Sequence, residues 1–299
     1  MLPSPRDVVI GASDLGAVAS FLALFGFAEV ARDRLPQPCA SALYGLETAT
    51  DELLLAVPGA ERGRVRVVAT PHPARRFAPF DPRPFAIDLF STDVEAGVAI
   101  ASANGFHASP ITDHRFGPAV IREVEVIGPD GIVLTLLQPN VGRRSSILDH
   151  EPDRLHSEVH AFVWSESGLD EHLRFWQERG LTKSTDAVLD TPGLGALVGV
   201  PDEDVSMRLT VLAGAEGHPI RVEFVDFLGR SGSPQPIWPL AAGLYAPAFE
   251  VEDLEAAAAR LAPAVVDPPV TVATAVHPGV RAAHAVSPGG HHFELWERG

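Results

Sequence analysis

The feature that most constrains this chain is one order of segments that occurs four times along it. Each occurrence opens on a short apolar run, passes through a polar turn into a helical stretch, and closes with two or three strand-like runs. The opening runs are DVVIGA, FAIDLF, HAFVWS and YAPAFEV. Runs rich in β-branched and aromatic residues predict strands, and apolar residues every three to four positions predict helices. The sequence therefore predicts four βαβββ modules and an α+β fold.

The first module illustrates these signals. Ser13 or Asp14 can cap a helix whose apolar face carries Leu15, Val18 and Leu22. The runs SALYGL, ELLLAV and VRVVAT that follow it predict strands, and the Gly-containing turns GPDG, GHP and SPGG of later modules fit a hairpin before the closing strand. The plainer alternative is an α+β protein without true repetition. Because the order and the turn positions recur together, we favour the repeat.

A polar, Pro-containing stretch, VGRRSSILDHEPDR, separates the second module from the third. It predicts a linker near residues 141–155 between two domains, residues 1–143 and residues 151–299, with two modules in each. The histidines are uneven across this boundary, because four of the twelve lie at or before His150 and eight lie after it. Their distribution predicts that any chemistry resides in the second domain.

Composition and motifs exclude several classes of function. A formal net charge of −16 excludes nucleic acid and anionic membrane as partners, because both require a positive surface. The absence of a long apolar run and of a signal peptide predicts a cytoplasmic protein. The single cysteine, Cys39, excludes an internal disulfide and lies in LPQPCAS, a predicted loop. There is no P-loop, GxGxxG, HExxH or GxSxG motif, which argues against nucleotide chemistry and serine hydrolysis.

The SDL-helix-GF opening, the GPDGIVLTLLQ closing and the fourfold βαβββ order resemble the vicinal oxygen chelate (VOC) superfamily. This superfamily includes glyoxalase I, bleomycin-resistance proteins and type I extradiol dioxygenases, and the resemblance covers essentially the whole chain. A 299-residue chain with four modules is most similar to the extradiol branch. The resemblance implies that paired modules form open, cupped β-barrels with flanking helices. It also implies that the N-terminal domain is a scaffold and that the C-terminal domain holds the active site.

The family binds its metal with residues on the first and last strands of the modules, facing into the cup. Here Glu294 lies in the last strand of module four, and Glu223 has the equivalent place in module three. His160, in the first strand of module three, lies near the family's ligand histidine. The resemblance implies that these three residues bind Fe(II), Mn(II) or Zn(II). The alternatives are a solvent-facing carboxylate for each glutamate and a buried, hydrogen-bonded histidine for His160.

One departure from the family pattern concerns module four. Where the family has another histidine this chain has Ala246, so the His-His-Glu set is incomplete, and the neighbouring Tyr245 is a poor ligand for Fe(II). His277 and His284 flank the strand before the terminal hairpin, where extradiol enzymes carry acid–base groups. With Tyr245 they are the candidate catalytic residues. The alternative for the two histidines is an ordinary place in surface loops.

Two classes of function follow from these residues. The first is a metal-assisted, metal-binding VOC enzyme, either a dioxygenase-like oxidoreductase or a lyase or isomerase, acting on a small aromatic or oxygen-rich molecule. The second is a metal-free protein without a cofactor that sequesters an aromatic or apolar compound, or a metal-free lyase or isomerase that uses its histidines as acids and bases. The absence of a ligand histidine at Ala246 favours the metal-free protein. The excess of histidines in the second half of the chain favours the metal-assisted enzyme. The sequence is also compatible with a homodimer.

Overall fold

The computed structural model describes residues 1–116, 118–143, 146–215 and 220–298. Within these ranges the secondary structure follows the predicted fourfold order. Module one comprises β1 (Pro5–Ala12), α1 (Leu15–Ala23), β2 (Ala28–Leu35), α2 (Gln37–Tyr44), β3 (Thr50–Ala56) and β4 (Arg64–Ala69). Module two comprises β5 (Arg83–Ser91), α3 (Val94–Ala103), β6 (His107–Ala108), β7 (Thr112–Phe116), β8 (Ala119–Ile127) and β9 (Val133–Pro139).

The second half of the chain repeats this order. Module three comprises β10 (His156–Ser165), α4 (Leu169–Glu178), β11 (Thr182–Leu189), α5 (Leu194–Leu197), β12 (Met207–Ala213) and β13 (Arg221–Phe227). Module four comprises β14 (Gly243–Val251), α6 (Leu254–Leu261), β15 (Val265–Val266), β16 (Val270–Val272), β17 (Val280–Val286) and β18 (His292–Glu297). None of the helices that the structure describes is both long and apolar enough to cross a membrane.

Local signals account for most of these elements. The carboxylate of Asp14 accepts hydrogen bonds from the backbone N–H groups of Gly16 and Ala17, which confirms the predicted cap of α1. Asp93 caps α3 and Asp253 caps α6 in the same way.

The prediction for α2 was wrong. This helix replaces the strand predicted for SALYGL and the loop predicted around Cys39, which is buried. It begins after Pro36, where a proline near the first turn is well tolerated, and it ends at Gly45, whose φ of 68° is the left-handed conformation that favours glycine. The buried side chain of Tyr44 packs inside the protein, so tertiary burial stabilises a helix that the local pattern did not predict.

The modules are paired across the two halves of the chain. In the described residues, modules one and four form one mixed sheet in the order β15-β17-β18-β14-β1-β4-β3-β2, with β16 beside β17. Modules two and three form the other in the order β11-β12-β13-β10-β5-β9-β8-β6, with β7 beside β8. We name the concave side of the first sheet cup A and that of the second cup B. The expectation that each half of the chain builds its own cup is therefore wrong.

The predicted linker is a connection inside one sheet. Residues 141–155 lead from β9 to β10, and both of these strands neighbour β5. The chain passes between the sheets through residues 70–82 and 228–242 instead. A polar, Pro-containing composition is typical of any surface connection, whichever elements it joins, so composition could not distinguish these cases.

The main hydrophobic core joins both sheets and their helices. It includes Phe21 of α1, Phe162 of β10, Trp176 of α4 and Phe293 of β18. Alternate residues of the same strands form two smaller apolar clusters, one on the inner face of each cup. The outer faces therefore hold the molecule together, and the inner faces are the places to look for a functional site.

Candidate functional site

The interior of cup A is occupied by its own charged side chains. Glu294 of β18 is fully buried and faces Arg66 of β4, whose Nη1 donates to Glu294 Oε2 at 2.5 Å and to the Tyr44 hydroxyl at 2.8 Å. Trp296 Nε1 donates to the same carboxylate oxygen at 2.6 Å, and the guanidinium lies 4.4 Å from the centre of the Trp296 ring. Glu294 therefore faces the interior of a cup, where its partner is a guanidinium.

This ion pair does not fit a metal site. Burial by itself lowers the pKa of Arg66, but Glu294, Tyr44 and Asp7 together outweigh that effect and raise the pKa above its usual value, so the guanidinium stays charged. A metal ion on Glu294 would lie within a few ångströms of this buried cation and would be repelled by it. Ala246, also on the inner face, supplies no donor atom. We therefore derive no metal chemistry in cup A.

The candidate catalytic residues also lie in cup A. His284 Nδ1 lies 2.7 Å from Asp267 Oδ2, and His284 Nε2 lies 2.8 Å from His292 Nδ1. The Tyr245 hydroxyl lies 3.4 Å from the same His292 nitrogen. The structure thus gathers two of the three predicted residues into one chain of hydrogen-bonding groups, together with His292.

These groups are buried beneath α2 and the segment of residues 228–242. The indole of Trp238 stacks on His284 with ring centres 4.3 Å apart, and His277 stacks on Trp296 at 3.8 Å. Burial, reinforced by Arg66, lowers the pKa of His277 well below its usual value. Burial and His284 likewise lower the pKa of His292 to about 3. Neutral, covered imidazoles such as these fit a structural role better than proton transfer with a substrate.

Cup B contains a cavity of about 450 Å³, a size that suits a small organic molecule. Strands of both modules contribute to it, and successive inward positions of β5 are Ala86, Asp88 and Phe90, as the two-residue period of a strand requires. Its walls are largely apolar. They include Ile121, Leu137, Val163, Met207, Leu209, Val211 and Val225.

Four carboxyl groups line this apolar cavity, namely those of Asp88, Glu123, Glu125 and Glu223. Arg221 Nη2 lies 3.0 Å from Glu223 Oε1, and His114 Nε2 lies 3.1 Å from Glu123 Oε2. The guanidinium groups that line it are those of Arg221 and Arg143. Among the residues that the structure describes, the carboxyl groups that line the cavity therefore outnumber the guanidinium groups, four to two.

Two of the carboxyl groups are strongly perturbed. Burial raises the pKa of Asp88 well above its usual value, and Glu223 and Glu123 raise it further against the opposing effect of Arg221. Burial, with a further contribution from Glu123, raises the pKa of Glu125 in the same direction. Buried carboxyl groups with raised pKa values inside a cavity are typical of functional sites, because they cost stability that a purely structural role would not require.

The three residues assigned to one metal ion do not come together. His160 and Glu223 belong to cup B, whereas Glu294 belongs to cup A. His160 is fully buried, stacks on Phe90 with ring centres 3.8 Å apart, and lies with Nδ1 2.7 Å from Arg221 Nη2. A guanidinium can only donate, so Nδ1 accepts and the imidazole proton is on Nε2. His160 therefore orients Arg221, which in turn pairs with Glu223.

Several residues of both cups were missed from the sequence. Asp88 and Arg66 each stand inside an apolar strand, as Glu294 does, so the same criterion could have selected them. The alternation in Glu123-Val-Glu125 already placed two carboxylates on one face of a strand.

No family model matches the sequence, and no curated protein matches it. Among solved structures, glyoxalase I from Zea mays superposes with a TM-score of 0.65 over 98% of this chain and 92% of its own, at 13% identity. A "putative dioxygenase" from Bacillus subtilis superposes with a TM-score of 0.64 over 99% of this chain and 85% of its own, at 13% identity. At these identities the likeness is one of fold. This chain therefore has the vicinal oxygen chelate fold, in a four-module form.

Proposed function

We propose that this protein binds a small organic cation with an apolar or aromatic body in cup B. The observation that carries the proposal is the group of four carboxyl side chains in an apolar cavity of about 450 Å³. This is the metal-free binding function that the sequence left as an alternative. The metal-assisted dioxygenase has less support for two reasons. Glu294 already forms an ion pair with Arg66, and it lies in cup A, whereas His160 and Glu223 lie in cup B.

The charges of the cavity indicate where a ligand cation would bind. Glu223 is paired with Arg221, and Glu123 has the His114 imidazole nitrogen 3.1 Å away. Among the ion pairs of the residues that the structure describes, none includes Asp88 or Glu125, although both are buried. A positively charged ligand group between them would supply the missing counter-charge, and the apolar walls would hold its body.

Binding of a cation is expected to depend on pH. Burial raises the pKa of Asp88 in the free protein, whereas a bound cation favours the ionised form and would lower that pKa. The protein must then release a proton on binding. Affinity is expected to rise with pH up to the raised pKa of the free protein and to level off above it.

Fluorescence titration with two dyes tests the proposal. We expect the cationic dye thioflavin T to bind with a stoichiometry of one, and the anionic dye 1-anilinonaphthalene-8-sulfonate to bind more weakly. Asp88→Asn and Glu125→Gln should each weaken thioflavin T binding about tenfold, which corresponds to about 1.4 kcal/mol. Glu52→Gln is the matched control, because Glu52 is a buried carboxyl group with a raised pKa, from burial, in cup A. Equal affinity for the two dyes, or an affinity unchanged in Asp88→Asn, would contradict the proposal.

A second candidate function is metal-free proton transfer, and one observation favours it. Asp88, whose pKa burial raises, lies beside Glu223, which is paired with Arg221. Two carboxyl groups in unlike environments are the usual arrangement of a general acid and a general base. Small aldehydes and ketones incubated with the protein in D₂O should then lose α-C–H signals in proton NMR spectra, and Asp88→Asn should abolish the exchange. Exchange at the same rate in this variant would exclude Asp88 as the base.

A further inference from the structure

Outside both cups, three metal-binding side chains converge where module three meets module four. Glu166 follows β10, His172 lies on α4, and His291 precedes β18. One donor atom from each lies within 4.8 Å of the others. His291 Nε2 lies 2.7 Å from Glu166 Oε1, and His172 Nε2 lies 3.6 Å from Glu166 Oε2. Two imidazoles therefore face one carboxylate, and the three residues come from two modules.

These separations suit a single divalent ion. Bonds of about 2.1 Å in a tetrahedral site place the donor atoms about 3.4 Å apart. The distances from the two imidazoles to the Glu166 carboxylate oxygens, 2.7 Å and 3.6 Å, lie on either side of this value. Two histidines and one carboxylate form a donor set that zinc and other divalent transition metals accept while a coordination position stays open.

The surroundings orient His291 as those of a metal ligand are oriented. Its Nδ1 lies 3.1 Å from the hydroxyl of Ser287, which also accepts a hydrogen bond from the His291 backbone N–H. Ser287 thereby fixes the ring and leaves Nε2 directed at Glu166. The rings of Trp164 and Phe224 pack around the imidazole, with their centres 4.6 Å and 5.3 Å from its centre. A hydrogen-bonded second nitrogen within an apolar shell is the environment that ligand histidines typically have.

Gly289 makes room for the second imidazole. A Cβ atom at this position would lie 2.0 Å from His172 Nδ1, so any other residue would displace the ring. An ion pair between Glu166 and His291 alone would not require this space.

We propose that Glu166, His172 and His291 form a binding site for a divalent transition-metal ion such as Zn(II), with an open position facing a neighbouring cavity. That cavity has a volume of about 270 Å³ and is lined by Glu166 and His291 together with Trp164. A bound ion would link module three, in one sheet, to module four, in the other. This site is separate from cup B and does not depend on the function proposed there.

Titration of the chelator-stripped, untagged protein with Co(II), and competition by Zn(II), tests the site. We expect the visible spectrum of Co(II) in a low-symmetry site to saturate at one equivalent. His172→Ala should weaken binding at least about a hundredfold by removing a ligand. Ser287→Ala should weaken it about 10- to 100-fold, the usual effect of losing a group that orients a ligand. Gly289→Ala should also weaken it, although every ligand remains, because its methyl group displaces His172.

Two controls separate this site from other metal binding. His150→Ala removes an exposed histidine and should leave the Co(II) affinity unchanged. Thioflavin T binding should be the same in His172→Ala and the original protein, because His172 is not in cup B. Circular dichroism and thermal denaturation of each variant show whether it is folded, and Zn(II) should raise the melting temperature of the original protein and of His150→Ala but not that of His172→Ala. An absence of saturable binding, or equal affinity in the original protein and His172→Ala, would overturn the proposal.

Discussion

Replacement of Glu294 by glutamine is expected to destabilise the protein by about 3–5 kcal/mol, the usual cost of breaking a buried ion pair. Glutamine keeps the size of the side chain but leaves the guanidinium of Arg66 buried without an anionic partner. Tyr44 and Trp296 cannot replace the charge, because one offers a neutral hydroxyl and the other an indole. The free energy of unfolding, measured by urea denaturation followed by circular dichroism, checks this expectation.

Two further variants make the test specific. Glu255→Gln removes one partner of the solvent-exposed ion pair with Arg281 and should change stability little, because exposed pairs contribute little. The double variant Arg66→Met with Glu294→Leu should recover most of the loss, since apolar residues of similar volume often replace a buried pair without cost. A metal ligand without an ion-pair partner could instead be removed from the metal-free protein at little cost in stability. Wild-type stability in Glu294→Gln would restore that interpretation.

Replacement of Asp88 by asparagine is expected to stabilise the protein at pH 7, by about 1–3 kcal/mol, the range for an incompletely compensated buried polar group. Burial raises the pKa of Asp88 in the folded state, so above the usual aspartate pKa the folded protein binds more protons than the unfolded chain. The contribution of Asp88 to the stability of the wild-type protein therefore falls as pH rises from the usual aspartate pKa to the raised pKa of the folded state. Asparagine removes the ionisation and with it the penalty.

The sign of this effect gives a second measurement. The advantage of Asp88→Asn should shrink as pH falls and vanish below about 3.9, where the carboxyl group is protonated in both states. Glu125→Gln should behave in the same way, because burial raises the pKa of Glu125. Urea denaturation of each variant and the wild type at pH 7 and at pH 4 measures the difference. Destabilisation of equal size at both pH values would show that these carboxylates hold the fold together instead.

The two Asp88 experiments should give opposite results. The variant that stabilises the fold is expected to weaken binding of the cationic dye. Such a trade-off is typical of side chains that are retained for function at the expense of stability. If Asp88→Asn weakened both stability and binding, the carboxylate would have to be regarded as part of the structural core of cup B.

Fold class was accessible from the sequence because its signals are local. A helix cap at Asp14 and the alternation along β8 involve residues within a few positions of each other, and the structure contains both elements where the patterns indicate them. The failure at α2 has the opposite origin. Its short apolar run fitted a strand equally well, and contacts of Tyr44 inside cup A decide in favour of a helix.

The sequence by itself determined the four modules, the strand and helix that open each of them and the positions of charged residues inside apolar strands, since all of these follow from neighbouring residues. Only the tertiary structure decided that Glu294 meets Arg66, 228 positions earlier, and that His160 and Glu223 share cup B with Asp88. The physical reason is that all four modules present similar strand edges, so their pairing is not written in any local pattern. The chemistry of each cup depends on that pairing, because every cup combines side chains from both halves of the chain.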